Sequence, residues 1–379
     1  MSNSRKLTIA QVIPSLNAGG AERAVVDVAA ATVAAGHRAI VISTGGYYQA
    51  ELQAKQARFV KRNVDSKNPL IILINAFWLA GFIKREGVDI MHARSRAPAW
   101  SAFMAARMSG IPFVTTFHAA YKGSFFLKKF YNSVMASGDR IIAISEFIAA
   151  HIQKNYGVPA SRIAVIPRGI DMSMYDPDSI SDERKQKLLR IWNNTTNAPI
   201  IIMPGRLSPI KGHELVIEAL AAIKDKPFIC VFIGPDQGRN KYSEMLHKQV
   251  DAAGLTDKIR WMDGGDIPAA YSLASLVLSP SQVAEGFGRV PVEAQAMGVP
   301  VIATALGATD ETIVDGQTGW LVPLGSAESL TKAIAKCLGL TDAERTCMSQ
   351  QAKAYVRSKF QLQQMCDATI RVYEEVAKL

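Results

Sequence analysis

Residues 7–36 read LTIAQVIPSLNAGGAERAVVDVAAATVAAG. The apolar run at residues 7–13 predicts a strand, and the amphipathic run at residues 21–35 predicts a helix that ends at Gly36. A strand that is apolar throughout is typical of a parallel strand with both faces buried. The stretch therefore predicts one strand-loop-helix unit of an α/β sheet, with the loop at residues 14–20 following the carboxyl end of the strand.

The same alternation continues along both halves of the chain. Further strands are predicted at residues 39–43, 89–92, 113–117, 140–144, 163–166, 200–203, 228–233, 259–262, 276–278 and 299–303. The intervening segments suit crossover helices. We predict an α/β protein with two Rossmann-like, doubly wound parallel-sheet domains that face a central cleft, where ligands bind at the carboxyl ends of the strands.

The predicted domain boundaries follow composition. Residues 176–197 are rich in polar residues and show no sustained apolar period, so we predict a linker there. An N-terminal domain then covers residues 1–175 and a C-terminal domain covers residues 198–360. Residues 361–379 predict a C-terminal helix, for which packing back onto the N-terminal domain is one arrangement.

Composition excludes several classes of protein. Of the 379 residues, 49% are hydrophobic and 20% are charged, which is typical of a globular protein and not of a disordered or coiled-coil chain. The four cysteines form no CxxC pair, which argues against a disulfide framework or a zinc site. Residues 1–16 lack the apolar run of a signal peptide, and residues 69–83 are shorter than the roughly 20 residues of a membrane-spanning helix. We predict a cytoplasmic protein.

The net charge of +10 is unevenly distributed. Residues 1–175 hold 21 lysines and arginines against 9 acidic residues, whereas residues 176–379 hold 22 against 24. A basic half favours nucleic acid, an anionic membrane surface or an anionic substrate, and charge alone does not choose among them.

Two loops that follow predicted strands carry phosphate-binding chemistry. Gly19 and Gly20 precede a predicted helix, whose free amides favour negative charge, although a tight turn would use the same glycines. Arg206 and Lys211 follow the strand at residues 200–203, so a guanidinium and an ammonium can bind one diphosphate. Two solvated charges flanking a turn are the alternative for that pair.

The segment at residues 280–298, PSQVAEGFGRVPVEAQAMG, places two glutamates around a glycine turn. Glu285 precedes the turn at residues 286–288, and Glu293 lies on a helix that is predicted to start near Arg289. This spacing can hold a sugar hydroxyl at one end, phosphate oxygens in the middle and a ribose diol at the other end.

In order and spacing, these segments resemble those of the retaining glycosyltransferases of family 4. This large family of GT-B fold includes glycogen and sucrose synthases and bacterial lipopolysaccharide and mannosyl transferases. The resemblance covers nearly the whole chain and rests on residues 19–23, 205–212 and 285–293. It implies a C-terminal domain that binds a nucleotide sugar, with a UDP sugar favoured over a GDP sugar. It also implies an N-terminal domain that binds the acceptor, in lipopolysaccharide, glycolipid or polysaccharide synthesis.

The resemblance also implies individual site residues. Arg206 and Lys211 would bind the diphosphate, Glu285 the transferred sugar and Glu293 the ribose hydroxyls. His118 follows the strand at residues 113–117 and matches a position near C6 of the sugar, which completes an implied catalytic set with Glu285, Arg206 and Lys211. The other implied donor contacts, to phosphate, sugar or base, are Gly19, Gly20, Gly234, Ile267, Gly286, Phe287, Gly288, Arg289 and Val290.

The mechanism implied by the resemblance retains the anomeric configuration and uses no metal ion or other cofactor. The bond from the sugar to the diphosphate breaks towards an oxocarbenium-like state, and positive groups stabilise the departing phosphate. The sequence Asp176-Pro177-Asp178 has the DxD pattern of metal binding in another transferase fold. Because it lies in the predicted linker, we interpret it as a turn.

Two groups in the basic half have two interpretations each. Residues 122–131, KGSFFLKKFY, interleave three lysines with four aromatic residues, which is typical either of a segment on an anionic bilayer or of a buried helix with a lysine edge. His92, Arg94 and Arg96 follow the strand at residues 89–92 and could face the acceptor, but we interpret them as part of a solvated loop. Contact with the inner face of the cytoplasmic membrane is therefore a hypothesis, and nucleic acid is not a predicted partner.

Other functions are compatible with parts of the sequence. A sugar-nucleotide epimerase would use the same fold, and product analysis with and without acceptor distinguishes it from a transferase. A basic nucleic-acid-binding protein would explain the charge but not the pattern from Glu285 to Glu293. A catalytically silent scaffold would not need the intact motifs.

Overall fold

The computed structural model describes residues 5–17, 19–121, 126–194 and 198–378. The chain divides into two compact units. The first unit comprises Met1–Gly169 and Leu362–Leu379, and the second comprises Ile170–Gln361. Within the described residues, each unit is built on one parallel sheet, of seven strands in the first and six in the second.

The sheet of the first unit is wound in both directions from its centre. Its strands are β1 (Thr8–Val12), β2 (Arg38–Ser43), β3 (Arg58–Lys61), β4 (Ile90–Ala93), β5 (Phe113–Phe117), β6 (Arg140–Ala143) and β7 (Ile163–Val165). All neighbours are parallel, in the order β3-β2-β1-β4-β5-β6-β7. The winding reverses between β1 and β4, which is where an open α/β sheet forms a crevice for a ligand.

Helices connect these strands. They are α1 (Gly20–Ala34), α2 (Gln49–Ala54), α3 (Pro69–Glu86), α4 (Arg96–Ser109), α5 (Phe126–Ser133) and α6 (Glu146–Tyr156), with 3₁₀ turns at Val134–Ser137 and Ala160–Arg162. The central strands β4 and β5 are buried at every residue, as expected of parallel strands covered on both faces.

Helix α3 contains the longest apolar stretch of the sequence. The Asn68 side chain caps the helix by accepting a hydrogen bond from the Leu70 N–H, and Gly87 ends it in the left-handed conformation at φ 62°. Five apolar side chains on this helix are 40–65% exposed: Leu70, Ile71, Leu73, Ile74 and Phe77. None of the described helices is long and apolar enough to cross a membrane.

The second unit repeats the doubly wound plan. Its strands are β8 (Ile200–Pro204), β9 (Ile229–Ile233), β10 (Ile259–Met262), β11 (Leu276–Ser279), β12 (Val301–Thr304) and β13 (Trp320–Val322). Their order is β10-β9-β8-β11-β12-β13, so the winding reverses between β8 and β11. The helices are α7 (Asp182–Ile191), α8 (His213–Ala221), α9 (Asn240–Ala252), α10 (Ile267–Leu273), α11 (Arg289–Ala296), α12 (Thr309–Thr312), α13 (Ala327–Leu338) and α14 (Asp342–Lys359).

The prediction of two parallel α/β sheets is confirmed, and the eleven predicted strands are all present. The sequence did not predict β3 or β13, which lie at the edges of the two sheets. β3 has two apolar residues between Arg58 and Lys61, and β13 has only three residues, so neither forms an apolar run of ordinary strand length.

The chain crosses from one unit to the other outside the predicted linker. The chain divides at Gly169/Ile170 and at Gln361/Leu362, whereas residues 176–197 lie within the second unit. Helix α7 occupies much of that range, and Arg184 on it makes two hydrogen bonds, of 2.6 and 2.7 Å, to the carboxylate of Asp266. The polar composition that suggests a linker is that of an amphipathic surface helix.

Helix α15 (Leu362–Val376) belongs to the first unit although it follows the second in sequence. Met365, Cys366, Val372, Tyr373 and Val376 are buried in one apolar cluster with residues of β1, α1 and β4. The Tyr373 hydroxyl also lies 2.7 Å from His92 Nδ1 beneath the sheet. The C-terminal helix therefore completes the core of the first unit.

We expect Tyr373→Ala to destabilise the first unit by about 3 to 5 kcal/mol, because it removes a fully buried ring and leaves a cavity. Urea unfolding followed by circular dichroism measures the change, and the exposed Arg371→Ala on the same helix is the matched control. Equal midpoints for the two variants would show that α15 is not part of this core.

Candidate functional site

The loops that follow β8 and β11 meet at the point where the second sheet reverses direction. The Gln282 N–H donates to the Ile210 carbonyl at 2.8 Å, which joins the two loops. Gly212 has φ 83°, and a Cβ there would lie 2.3 Å from the Pro280 carbonyl oxygen. Only glycine therefore permits the close approach that sets Lys211, its neighbour, against the β11 loop.

Lys211 and Glu285 form an ion pair across this reversal. Lys211 Nζ lies 2.6 Å from Glu285 Oε1, and the two side chains are 25% and 20% exposed. The Ser281 hydroxyl also donates to Glu285 Oε1. Glu285 pairs as an isolated bridge with Gly307, where a Cβ would lie 2.5 Å from the Glu285 carbonyl oxygen. The carboxylate is thus fixed by a cation, a hydroxyl and its own backbone.

Arg206 lies on the same β8 loop as Lys211 and is exposed. The sequence prediction that both follow one strand is therefore correct, and they differ in their partners. Lys211 is bound to a carboxylate, whereas the Arg206 guanidinium reaches solvent.

The turn after Glu285 leads into the N-terminus of α11. Gly288 is the N-cap at φ 80° and supplies no side-chain cap, so the first-turn amides lack the partners that a capping side chain provides. Phe287 is 4% exposed and its ring packs on Phe360 at 5.5 Å between centroids, so only its backbone can meet a ligand. Arg289 and Val290 are half-buried in the first turn. The positive end of α11 therefore adjoins Glu285.

Glu293 lies about one turn into α11 and is buried, at 7% exposure. Arg289 Nη2 lies 2.7 Å from Glu293 Oε1, and the Tyr271 hydroxyl donates to Oε2 at 3.3 Å. Burial raises the pKa of the Tyr175 hydroxyl. The negative charge of Glu293, and the hydrogen bond that Tyr175 makes to it, raise this pKa further. Glu293 is therefore held by one cation and two phenols.

Two residues predicted to line a nucleotide base lie in different places. Gly234, at the end of β9, lines a cavity of about 240 Å³ with Asp236, His247, Trp261 and Asp263 among its other residues. The His247 and Trp261 rings lie 4.1 Å apart between centroids. Ile267 begins α10, where the Asp266 carboxylate caps the helix.

In the first unit, Gly19 and Gly20 begin α1 as predicted. A Cβ on Gly19 would lie 2.2 Å from Glu22 Oε2, so the helix's own carboxylate covers this turn. The predicted phosphate cradle therefore already faces a negative charge.

His118, Arg94 and Arg168 lie together in the first unit, where they line one small cavity. His118 Nδ1 lies 3.2 Å from Arg168 Nη1, and Arg168 also donates to the Gly20 carbonyl. Burial lowers the pKa of His118 well below its ordinary value of 6.5, and the charges of Arg94 and Arg168 act in the same direction. His118 is therefore neutral at pH 7.

The expectation that His92, Arg94 and Arg96 form a solvated loop is wrong. His92 is fully buried on β4 between the Tyr373 hydroxyl and the Thr116 hydroxyl, at 2.7 and 2.8 Å. Arg94 is 4% exposed. Arg96 donates to Asn132 Oδ1 at 3.0 Å, and its guanidinium lies 4.3 Å from the centre of the Tyr121 ring. Polar residues at the end of a central strand are buried by the helices that cover it.

Two other predictions concern turns and surfaces. The Asp176 carboxylate accepts a hydrogen bond from the Asp178 N–H in a 3₁₀ turn at Pro177–Ser179, which confirms the turn. Within the described ranges, no three His, Cys, Asp or Glu residues are grouped as a metal site would require.

Residues 122–125 of the basic aromatic segment lie outside the described residues, and the rest belongs to α5, where Leu127 and Phe130 are 77% and 58% exposed.

Sequence reasoning missed Ser281, Tyr175, Tyr271 and Arg168 as parts of these sites. Ser281 lies within the quoted motif and could have been found from its spacing to Glu285. The other three contact their partners across 22 to 148 residues of sequence, and no local pattern indicates such pairs.

Comparison with known proteins identifies the chain's relatives. The model of glycosyltransferase family 4 matches residues 18–174, and the model of group 1 glycosyl transferases matches residues 184–355. A D-inositol 3-phosphate glycosyltransferase of Salinispora tropica is 28% identical over 309 residues, which are 71% of this chain and 61% of that protein. A lipopolysaccharide 1,2-N-acetylglucosaminetransferase of Salmonella typhimurium is 32% identical over 230 residues, 58% of each chain. This chain thus spans about three fifths of the length of these two relatives.

Solved structures extend the likeness to the whole fold. A glycosyltransferase from Rickettsia africae is 36% identical with a TM-score of 0.91, over 99% of this chain and 100% of that one. An Anabaena protein in complex with UDP-glucose is 23% identical with a TM-score of 0.83, over 98% and 100%, and shows that the fold is shared. The two parallel sheets and these matches establish the GT-B fold, and the chain belongs to the family 4, group 1 glycosyltransferases.

Proposed function

We propose that the protein transfers a sugar from a nucleoside diphosphate to an acceptor hydroxyl, with retention of anomeric configuration. The observation that carries the proposal is the Lys211–Glu285 pair, at 2.6 Å, where the second sheet reverses direction. An open α/β sheet binds ligands at this point. A cation, a carboxylate and a helix N-terminus stand there together, which suits a sugar joined to a diphosphate.

In this proposal Arg206 and Lys211 bind the diphosphate. The exposed guanidinium of Arg206 has the planar fork that pairs with phosphate oxygens, and the Lys211 ammonium adds a mobile point charge. Amides at the start of α11, around Gly288, add donors without a side chain. Glu285 then accepts a hydrogen bond from a hydroxyl of the transferred sugar. Lys211 and Ser281 hold the Glu285 carboxylate in place.

Glu293 binds the ribose hydroxyls in the same proposal. A carboxylate that is held by Arg289 and Tyr271 cannot rotate freely, so it presents a fixed acceptor to a diol. The cavity beside Gly234 is the proposed place of the base, and its 240 Å³ is ample for one ring system. We favour uridine over guanosine, and UDP-glucose is the first donor to test because an Anabaena protein of this fold is known in complex with it.

The proposed chemistry is a same-face displacement. The bond from the anomeric carbon to the diphosphate breaks, and the acceptor oxygen forms the new bond on the face that the diphosphate leaves. The acceptor's proton passes to an oxygen of the departing phosphate. Arg206 and Lys211 stabilise the charge that develops there, so the proposal includes no metal ion and no cofactor besides the nucleotide-sugar substrate.

The proposed acceptor is a hydroxyl of a lipopolysaccharide, glycolipid or polysaccharide. The name of the Salmonella relative supports this class. His118, whose neutral ring lies in the first unit, is proposed to lie near C6 of the sugar and not to serve as a general base. A sugar-nucleotide epimerase is the competing function, and it would need no acceptor.

We also propose that the first unit docks on an anionic bilayer. In this proposal the protein is cytoplasmic and binds the membrane peripherally. Leu70, Ile74 and Phe77 lie on one exposed face of α3, and the spacing of Lys84 places it on the same face two turns further on. An apolar stripe followed by a cation matches the boundary between acyl chains and anionic headgroups.

A thermal-shift screen of UDP-, GDP- and ADP-glucose tests the donor. A true donor at 100 times its dissociation constant adds about 2.7 kcal/mol to the stability of the folded state, and we expect the UDP sugar to give the largest shift. Glu293→Gln should weaken its binding about tenfold, because the carboxylate's charge-assisted hydrogen bonds to the ribose are lost. Glu328→Gln, on the surface of the same unit, is the control. The absence of any shift, or equal binding by Glu293→Gln and wild type, would contradict the proposal.

We expect Lys211→Gln to lower kcat about 10²- to 10³-fold, the usual effect of removing one preorganised group that stabilises developing charge. Transfer of radiolabelled sugar to an extract-derived glycolipid acceptor measures kcat. Substitution of an exposed residue, Lys241→Gln, is the matched control. Product formation without any acceptor would instead identify the epimerase.

Flotation with vesicles containing phosphatidylglycerol tests the membrane proposal. At low salt the wild type should float with the vesicles, and the double variant Ile74→Ser/Phe77→Ser should lose most of this binding because the apolar stripe is interrupted. Leu324→Ser, which removes a 52% exposed leucine from the second unit, should bind like wild type. Wild type that stays in solution would refute the docking surface.

A further inference from the structure

Arg94 is a buried cation that forms no ion pair with any described residue. It directly follows β4, beside the reversal of the first sheet, and only 4% of its surface is exposed. Its side chain makes no hydrogen bond or ion pair with any residue in the described ranges, and its Nε is buried without a partner. A buried charge that is not paired is costly, and a bound anion that supplies the counter-charge would relieve that cost.

The nearby acidic residue does not neutralise Arg94. Asp27 on α1 is bound by Arg23 through hydrogen bonds of 2.8 and 2.5 Å. Burial lowers the pKa of Arg94, and the charge of Asp27 opposes that effect only in part. The site thus keeps positive charge in excess.

His118 adds a second donor without a partner. Because an arginine can only donate, the contact with Arg168 Nη1 at 3.2 Å makes His118 Nδ1 the acceptor. The proton of the neutral ring then lies on Nε2, which is buried and has no hydrogen-bond partner among the residues that the structure describes. Arg168 therefore sets the direction in which His118 donates.

Both donors line one small cavity. Its volume is about 20 Å³, and its polar lining includes Arg94, Thr116, His118 and Arg168. This is space for about one oxygen atom. His118 is partly accessible as a residue, whereas its Nε2 is buried.

We propose that Arg94 and His118 bind an oxyanion, a phosphate or carboxylate group, with one of its oxygens in this cavity. Arg168 contributes its charge and fixes the tautomer of His118. The remaining oxygens of the anion lie at the strand ends, where the reversal of the sheet opens a ligand crevice. That the anion belongs to the acceptor rests on the proposed function. The acceptor would then be a sugar or lipid that carries an anionic group.

Inorganic phosphate is the first probe, measured by thermal shift at constant ionic strength. All variants carry Lys211→Gln, which weakens the proposed phosphate contacts of the second unit. In this background phosphate should still raise the melting temperature. Adding Arg94→Gln should raise the apparent dissociation constant of phosphate at least tenfold, whereas Arg371→Gln, on exposed surface of the same unit, should not change it.

Melting temperatures without phosphate control for folding. Arg94→Gln should melt no lower than its parent, because it removes an unpaired buried charge. Arg94→Lys is the second variant, and it should keep part of the phosphate effect because the charge remains but the fork is lost. Equal phosphate binding with and without Arg94→Gln would overturn the proposal and leave the cavity as a water site.

Glucose 6-phosphate, compared with glucose and inorganic phosphate, identifies the source of the anion. Binding at least tenfold tighter than inorganic phosphate, abolished by Arg94→Gln, supports an anionic acceptor. Equal affinity for the two phosphates would overturn that assignment in favour of a free ion. Because neither titration uses a nucleotide, the anion site can stand even if the nucleotide-sugar screen fails.

Discussion

The reversal of strand order in each sheet is the constraint on which both sites depend. In the second sheet, β8 and β11 are neighbours whose crossovers run to opposite sides, so the loops after them diverge and leave a crevice. The close approach at Gly212 and the Gln282–Ile210 hydrogen bond bring the two loops back together at one point. The Lys211–Glu285 contact follows from that backbone geometry. An ion pair that is 20–25% exposed stabilises a fold by about 1 kcal/mol at most, so it is a product of the fold and not its cause.

Lys211 and Arg289 at the site of the second unit differ from Arg94 of the first unit in whether a carboxylate neutralises them. Lys211 and Arg289 are each paired with a glutamate of the same unit. In contrast, Arg94 is buried deeper and has no carboxylate partner in the described ranges. A paired cation is already partly neutralised, so an anionic ligand shares it with the carboxylate. An unpaired buried cation has already lost its hydration in the folded protein, so an anion that reaches it meets a preorganised charge.

The sequence predicts the interior of each sheet better than its edges or its partners. Strand β9 is apolar at all five positions, so it stands out from sequence alone, whereas the short edge strands β3 and β13 do not. Arg206 and Lys211 were found because they follow β8 within a short segment, and Glu285 and Glu293 because they follow β11. Tyr271 and Arg168 were missed because they reach the sites only through packing between distant elements.

Arg94 shows why composition misled the interpretation of one loop. A run such as His92-Ala93-Arg94-Ser95-Arg96 contains three basic residues and reads as solvated, since charged residues are seldom buried. The structure buries His92 and Arg94 because β4 lies at the centre of the sheet and α15 packs over it. Helix α15 follows the second unit in sequence. Helix α15 supplies Tyr373 to His92, and Thr369 and Met365 to the cavity beside Arg94. The last helix of the chain therefore does more than complete a core, because it makes the buried environment in which an unpaired arginine can select an anion.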